Sequence, residues 1–384
     1  KVTPQSNKNV ITWNRAIGSV LGGTFAFYQV ERLNPDGTTD KLFPIINNIS
    51  EISIEDNTTT CGNEYTYRVQ TNYGLASYSQ KVKVTAISDD VPPKIPRFFA
   101  TMTNDAKNAS IQGQFDPANT PLNIKADNYK FYRANSLTGA YSLVNTGNLL
   151  FKDLTADVNN KSYCYYMTWT NLCNKESVPS DKVCTVYLKP TGSTVNWTRE
   201  SAISVGTDSY IVQRVDPSTG NNIKELASNL INTYSYNTQA LPESEGQEIY
   251  VQIEARPVGW NTIGGSTLPS ALSNIIKIFR PSIAISPQIF TPNGDGQNDK
   301  FIVEGKFIKN LKMTIYDRWG NAIFYAEQAG YPTHDAQVPN SVIGWDGTMN
   351  NGNKAIEGSY AYRIEVEDTV GQVTIKEGAL LLAY

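Results

Sequence analysis

The chain is 384 residues long, enough for two to four domains of roughly 100–200 residues each. Its net charge is 33 − 36 = −3, which leaves no basic field to hold nucleic acid or anionic lipid, and no apolar run approaches the roughly 20 residues of a membrane-spanning helix. Tyr is abundant at 22, Met is scarce at 4 and only 18% of residues are charged, with Thr, Ser and Asn throughout; residues that suit a half-buried pleated surface dominate, so the chain reads as all-β.

The chain opens at Lys1 with no start Met and no signal peptide, and Trp13 already ends a strand. It is therefore read as the C-terminal part of something longer, beginning part-way into a module. Three stretches then repeat one pattern. Each starts with an alternating strand ending at a large residue: VITW to Trp13, SIQGQF to Phe115 and STVNW to Trp197. A second strand follows: YQVER from Tyr28, YKFYR from Tyr129 and YIVQR from Tyr210. It puts Arg32, Arg133 and Arg214 at one recurring position, expected to face solvent. A long alternating strand comes later, with Tyr65, Tyr67, Val69 and Thr71 in the first repeat. Tyr163, Tyr165, Met167 and Trp169 follow in the second, and Ile249, Val251, Ile253 and Ala255 in the third. Period two places each set on one sheet face.

A buried Trp on the second strand with Tyr on the third and sixth resembles the fibronectin type III sandwich, and short strands between turn signals support a β-sandwich in general. The expected modules are 1–91 with its first strand incomplete, 92–190, and 191–280. The linkers differ. DDVPPKIP (89–96) is Pro-rich and stiff, whereas only KPTGS (189–193) separates the second and third modules. TVYL (185–188) can close the second module, open the third, or serve both, and a stiff junction is expected there.

Four cysteines, Cys61, Cys164, Cys173 and Cys184, allow three disulfide connectivities in an exported chain. A hairpin centred in NLCNKES sets Cys164 opposite Cys184. In a fibronectin-like sandwich the loops before and after the sixth strand lie at opposite poles. Cys61 at the far end of module one would then face Cys173 at the near end of module two, an inter-module bond. Free thiols or a metal site are the alternatives; zinc is disfavoured because no CxxC pair exists and the lone His334 lies in another domain.

The last hundred residues carry FTPNGDGQND, YDRWGN, WDGT, EGSYAYRIEV and GALLLAY in that order. Leu311, Met313 and Ile315 alternate on one face, as do Tyr360, Tyr362, Ile364 and Val366, and later Leu380 and Leu382. Gly and Asn turns separate them, which predicts a compact sandwich of about seven strands. Asn293, Asp295, Asn298 and Asp299 are oxygen ligands at short spacing and weak calcium candidates, although the distal bidentate Glu of an EF-hand loop is missing; the competing reading is an Asx-rich turn. Trp319 and Trp345 each stand at a turn, where corner or core packing competes with an exposed surface for recognition.

Order and spacing of these motifs closely resemble the type B C-terminal sorting domain of the Bacteroidetes type IX secretion system, over 281–384. The resemblance rests on Phe290, Thr291, Pro292, Asn293, Gly294, Asp295, Gly296, Asn298 and Asp299, then on Arg318, Trp319 and Gly320. It continues through Trp345, Asp346 and Gly347, then Gly358, Tyr360 and Tyr362, and ends with Gly378, Leu380 and Leu382. The end at Ala383–Tyr384 departs from relatives that finish on a basic residue. The resemblance implies a small Ig-like β-sandwich after three fibronectin type III/Ig-like sandwiches, and a chain exported through the outer membrane to the cell surface or beyond. It implies recognition by type IX translocon components and by a PorP/SprF-like outer-membrane β-barrel, with no cofactor.

Two kinds of whole protein fit: a large surface adhesin of gliding motility, or a secreted glycoside hydrolase or other exoenzyme whose catalytic domain lies upstream. Within the chain itself no nucleophile elbow, zinc motif or acid/base pair stands out, so it reads as non-enzymatic. Binding of an extracellular glycan or surface by the modules would need exposed aromatic platforms. Trp169 falls on a core-facing phase, whereas Trp260 sits in a Gly-rich loop.

Overall fold

The computed structural model describes residues 1–17, 23–259, 269–330 and 343–384. Among the described residues strands make up 52%, and the helical content is three short 3-10 segments. Trp260 and His334 lie outside the described residues. Lys1–Tyr187, Arg199–Ser209 and Glu254–Ser273 form one compact unit; Leu188–Thr198, Tyr210–Ile253 and Asn274–Tyr384 form another.

In the first repeat Lys8–Thr12 pairs with Val2–Gln5 on one side and Ser53–Asp56 on the other. The second sheet runs Thr39–Leu42, Phe27–Leu33, Glu64–Asn72, Ala76–Tyr78, and Val82–Thr85 also pairs with Glu64–Asn72. Ile11, Tyr28, Val30, Tyr67 and Val69 are buried in one cluster, as alternation requires. A leading strand is present, though it has four residues where its counterpart Arg97–Met102 has six.

The second repeat places Leu150–Asp153, Ala109–Gln114 and Arg97–Met102 in one sheet. The other sheet holds Ser142–Gly147, Ile124–Ala134, Cys164–Asn171 and Val183–Cys184. The free edge of Arg97–Met102 is covered by Ala202, whose carbonyl accepts from Ala100 N at 2.9 Å, and by Ser204, whose N–H donates to Phe98 O at 2.8 Å. That cover removes an exposed strand edge. The third repeat has the same plan, with Leu188–Thr191, Thr194–Trp197 and Ser235–Asn237 in the smaller sheet. Its larger sheet runs Asn222–Leu230, Thr207–Val215, Glu248–Pro257, Ala271–Leu272, and Ile276–Phe279 also pairs with Glu248–Pro257. TVYL is not itself a strand: Val183–Cys184, just ahead of it, closes the second repeat, residues 185–187 connect, and Leu188 opens Leu188–Thr191 of the third.

The recurring arginines do not face solvent freely. Arg32 Nη1 donates to Asp56 at 2.9 Å, Arg133 Nη1 to Asp153 at 2.8 Å and Arg214 Nη1 to Glu245 at 2.9 Å, and all three acids are buried. The phase of each arginine is outward, but its long stem lies along the sheet and brings the guanidinium to the end of the sandwich. Asp56 and Asp153 terminate strands of the opposite sheet, so these pairs tie sheet to sheet. Tyr67 and Tyr165 donate their hydroxyls to the same two acids at 2.8 and 3.0 Å, and Thr58 and Thr155 each donate both backbone N–H and hydroxyl. Tyr65, on its long strand, and Tyr163, directly before its own, accept from Thr60 N and Asp157 N, so their hydroxyls hold the preceding loops. Ile249 stands where these tyrosines would, and the loop there is held instead by Arg280, which donates to the carbonyls of Leu241, Pro242 and Gly246.

The cysteines form Cys164–Cys184 and Cys61–Cys173. Cys164 and Cys184 are register partners across the sheet. Around Cys61–Cys173, the Pro-rich linker is pinned at successive points. Val178 N donates to Pro92 O at 3.0 Å, Trp169 Nε1 to Pro93 O at 2.9 Å, and Lys94 pairs with Asp181. Trp169 is thus buried and occupied, and offers no platform to a sugar.

Two outcomes are expected. Replacing both Cys61 and Cys173 by Ser should lower unfolding free energy by about 2–4 kcal/mol, because a bond closing 112 residues of sequence restricts the unfolded chain; urea titration of the oxidised and substituted proteins measures it. Burial pushes Asp56 and Asp153 up, yet the hydrogen bonds from Thr58 and Tyr67, or Thr155 and Tyr165, outweigh it and hold both carboxyls below the usual range. Their stabilisation is present in full above the unfolded value of about pH 4 and fades as pH falls toward the depressed native values. Asp56→Ala should therefore cost about 3 kcal/mol at neutral pH. That gap should shrink in acid; denaturation curves on a pH series would show a constant gap if the carboxylate is not the cause.

Candidate functional site

The C-terminal domain is built on a five-stranded sheet in the order Ile289–Phe290, Val373–Leu382, Gly358–Asp368, Ile308–Tyr316, Ala322–Ala329. The first pair is parallel, with Phe290 opposite Leu382. Short strands Ile283–Ile285, Phe301–Ile302, Glu304–Lys306 and Gly344–Trp345 cover the inner face, which makes nine strand segments among the described residues rather than about seven. Several motif segments are too short to show alternation, which is why the sequence undercounts them. Leu311, Met313, Ile315, Ile364, Leu380 and Leu382 are buried as the alternation requires, and Phe290, Phe301 and Trp345 pack among them.

The motifs divide into those that build the domain and those that face out. Trp345 is fully buried, 5.3 Å from Phe290 and 5.0 Å from Tyr360 by ring centroids, with Nε1 donating to Thr348 O at 3.0 Å. Asp346 accepts from Thr348 N and shapes that turn. Gly378 lies opposite Tyr362, and a Cβ there would come within 2.6 Å of the Tyr362 hydroxyl. Glycine at 378 is thus the price of seating that ring on the sheet.

Asn293, Asp295 and Asp299 are occupied by their own loop. Asp299 accepts from Gly294 N at 2.7 Å and Gly296 N at 2.8 Å; Asp295 accepts from Gln297 N, which holds its carboxyl low; Asn293 accepts from Asp295 N. Asn298 takes a left-handed backbone, and its carbonyl accepts from Thr291 N. These oxygens turn toward amides of the turn, which is the geometry of an Asx-rich loop.

RWGN behaves differently. Asp317 accepts from Trp319 N at 2.8 Å and Asn321 N at 2.9 Å, and Asn321 Nδ2 donates to its second oxygen at 3.0 Å. Those bonds hold the Asp317 carboxyl below the usual range, and Gly320 supplies the positive φ of 85° that closes the turn. Trp319 is projected outward from this rigid turn and is 76% exposed, against 0% for Trp345. Arg318 lies over its ring at 5.2 Å. Beside it Ile356, which the sequence reading did not single out, is 78% exposed. Trp319, Ile323, Met349, Ile356 and Tyr360 line a groove of about 370 Å³ rimmed by Arg318 and Glu357. Tyr360 is fixed there by donating to Ile356 O at 2.6 Å, and Glu357 accepts from Tyr384 N. An apolar floor beside one cation, Arg318, and two carboxylates, Asp317 and Glu357, is the chemistry of a surface that binds another protein.

Residues 284–382 match the family model of the CHU_C type IX secretion signal domain. No curated protein matches the chain. Among solved structures, the FN1–FN3 domains of chicken CNTN1 align over 72% of this chain and 95% of theirs, with 12% identity and a TM-score of 0.31. A two-domain fibronectin type III segment of chicken tenascin aligns over 48% and 95%, with 17% identity and a TM-score of 0.29. A tetra-tandem repeat from the extending region of a large adhesion protein aligns over 98% and 95%, with 10% identity and a TM-score of 0.25. A secretion signal domain is a non-catalytic kind of domain. The chain therefore carries at residues 284–382 a type IX secretion signal domain, which directs its export through the outer membrane to the cell surface or extracellular space and is recognised by the secretion machinery.

Proposed function

We propose that the groove around Trp319 is the part of the secretion signal domain that export components grip. Its partner is a PorP/SprF-like outer-membrane β-barrel together with type IX translocon components. The supporting observation is a contrast within one motif set: Phe290, Trp345 and Leu382 are hidden, while Trp319 stands exposed on an ordered turn, with exposed Ile356 lining the same groove. Trp and Arg side by side are the residues that most often dominate a protein interface. A Trp held out by a carboxylate-capped turn is pre-organised, so little side-chain freedom remains to be lost on binding.

The three preceding sandwiches serve, in this reading, as the surface-exposed stalk of a large adhesin of gliding motility. What supports the stalk role is the joint between the first two, where a disulfide, a pinned Pro-rich linker and the Lys94–Asp181 and Lys175–Asp89 pairs restrain bending.

Trp319→Ala combined with Ile356→Ser should leave unfolding free energy within about 0.5 kcal/mol, since both side chains are exposed. Affinity for the outer-membrane partner should fall by about thirtyfold or more, the loss of roughly 2 kcal/mol at an interface anchor. Pull-down from detergent-solubilised outer membranes, with surface labelling of intact cells, measures both; wild-type recovery and surface delivery of the variant would end the assignment.

A further inference from the structure

The secretion signal domain is seated on the preceding sandwich through buried polar side chains. Arg280 is fully buried; its guanidinium donates to Leu241, Pro242 and Gly246 carbonyls and lies 4.6 Å from the Phe307 ring centroid. One basic side chain thus grips the loop of one body and stacks on a ring of the next. Phe307 is itself 1% exposed and has φ of 59°. A bulky residue adopts that left-handed backbone only where its surroundings impose it. Its N–H donates to the Glu243 carboxylate. Nearby, Gln247 is buried and uses both ends of its amide. Nε2 donates to Asp368 Oδ2 at 2.8 Å, and Oε1 accepts from the Thr369 hydroxyl. The other oxygen of Asp368 accepts from Val370 N and Gln372 N, so that turn of the signal domain is ordered by the same group that meets Gln247.

A joint of this kind has one low-energy arrangement. The Gln247 amide, the Asp368 and Glu243 carboxylates and the Thr369 hydroxyl each meet a partner, the guanidinium meets three carbonyls, and a shift of a few ångströms would break these contacts together. Pro281 directly follows Arg280 and adds a fixed φ to the short covalent connection.

We infer that residues 241–247 and Arg280 form a seat that holds the signal domain in one orientation, so that the export machinery receives the third sandwich and the signal as one rigid body. The seat stands on the contacts just described, and the consequence for export rests on the function proposed above. Spin labels placed at exposed Ile223 and Val373 in the full chain, through a non-canonical amino acid that leaves the disulfides intact, report the distance between the two bodies. The wild type should give a single narrow distance. Gln247→Ala with Glu243→Ala should lose that peak to a broad distribution while circular dichroism is unchanged. The single Gln247→Ala variant serves if the double variant does not fold, and should broaden the peak in the same direction. A broad wild-type distribution, or a variant as narrow as the wild type, overturns the seat. Surface delivery of the same variant should fall below wild type. Normal delivery despite a broadened distance overturns rigid presentation, whereas normal delivery of Trp319→Ala strikes at the groove reading alone.

Discussion

Two thin sheets stay face to face only if something beyond apolar contact sets their relative position. In this chain a buried carboxylate does so in each of the three repeats. Asp56 and Asp153 end a strand of the smaller sheet and receive an arginine from the larger one, and Glu245, on a 3-10 segment, receives Arg214 from the strand Thr207–Val215. Asp56 and Asp153, each held by a Thr hydroxyl, a backbone amide, a Tyr hydroxyl and an Arg, have most of their lone pairs satisfied, so their desolvation is offset. The tyrosines that complete two of these sites also order the adjacent loops through their neighbours Tyr65 and Tyr163. Apolar alternation makes sandwiches, and these polar bridges choose how each is closed.

The joints use three different devices. Between the first two sandwiches the restraint is covalent, with a Pro-rich linker whose carbonyls are claimed by Trp169 and Val178. At the smaller sheet of the second sandwich, Ala202 and Ser204 add backbone hydrogen bonds to an open edge. Ahead of the signal domain the joint is a set of buried side chains around Arg280 and Gln247. Each device removes freedom by a different route: a closed loop, a covered strand edge and a matched polar network.

The signal domain shows how similar motif residues serve opposite ends. Trp319 and Trp345 both stand beside a turn glycine, yet one is largely exposed and the other fully buried. Trp345 lies on a short strand paired with Phe301–Ile302 and so points at the core, whereas Trp319 sits on the turn that Asp317 caps beyond the end of Ile308–Tyr316. The difference is one of strand against turn. It leaves an apolar groove on a domain whose role is to be recognised.

Much of this was legible in the residues alone. Period-two alternation named the long strands and their buried faces, because strand geometry converts sequence position directly into side-chain direction. The hairpin midpoint named Cys164–Cys184, the sandwich poles named Cys61–Cys173, and the ordered motifs named the secretion signal. Partners drawn from separate strands and loops were not legible. Arg32, Arg133 and Arg214 read as solvent-facing because their phase is outward, and only the convergence of loops at the sandwich end supplied the acids. Arg280, Phe307 and the Gln247–Asp368 pair carried no local pattern at all. Periodicity and motif order are properties of neighbouring residues, and so the sequence determined the class of fold and the address. Which charge is buried, which Trp is shown and how the signal is seated depend on segments distant in the chain arriving at one place, and that was decided by the tertiary structure.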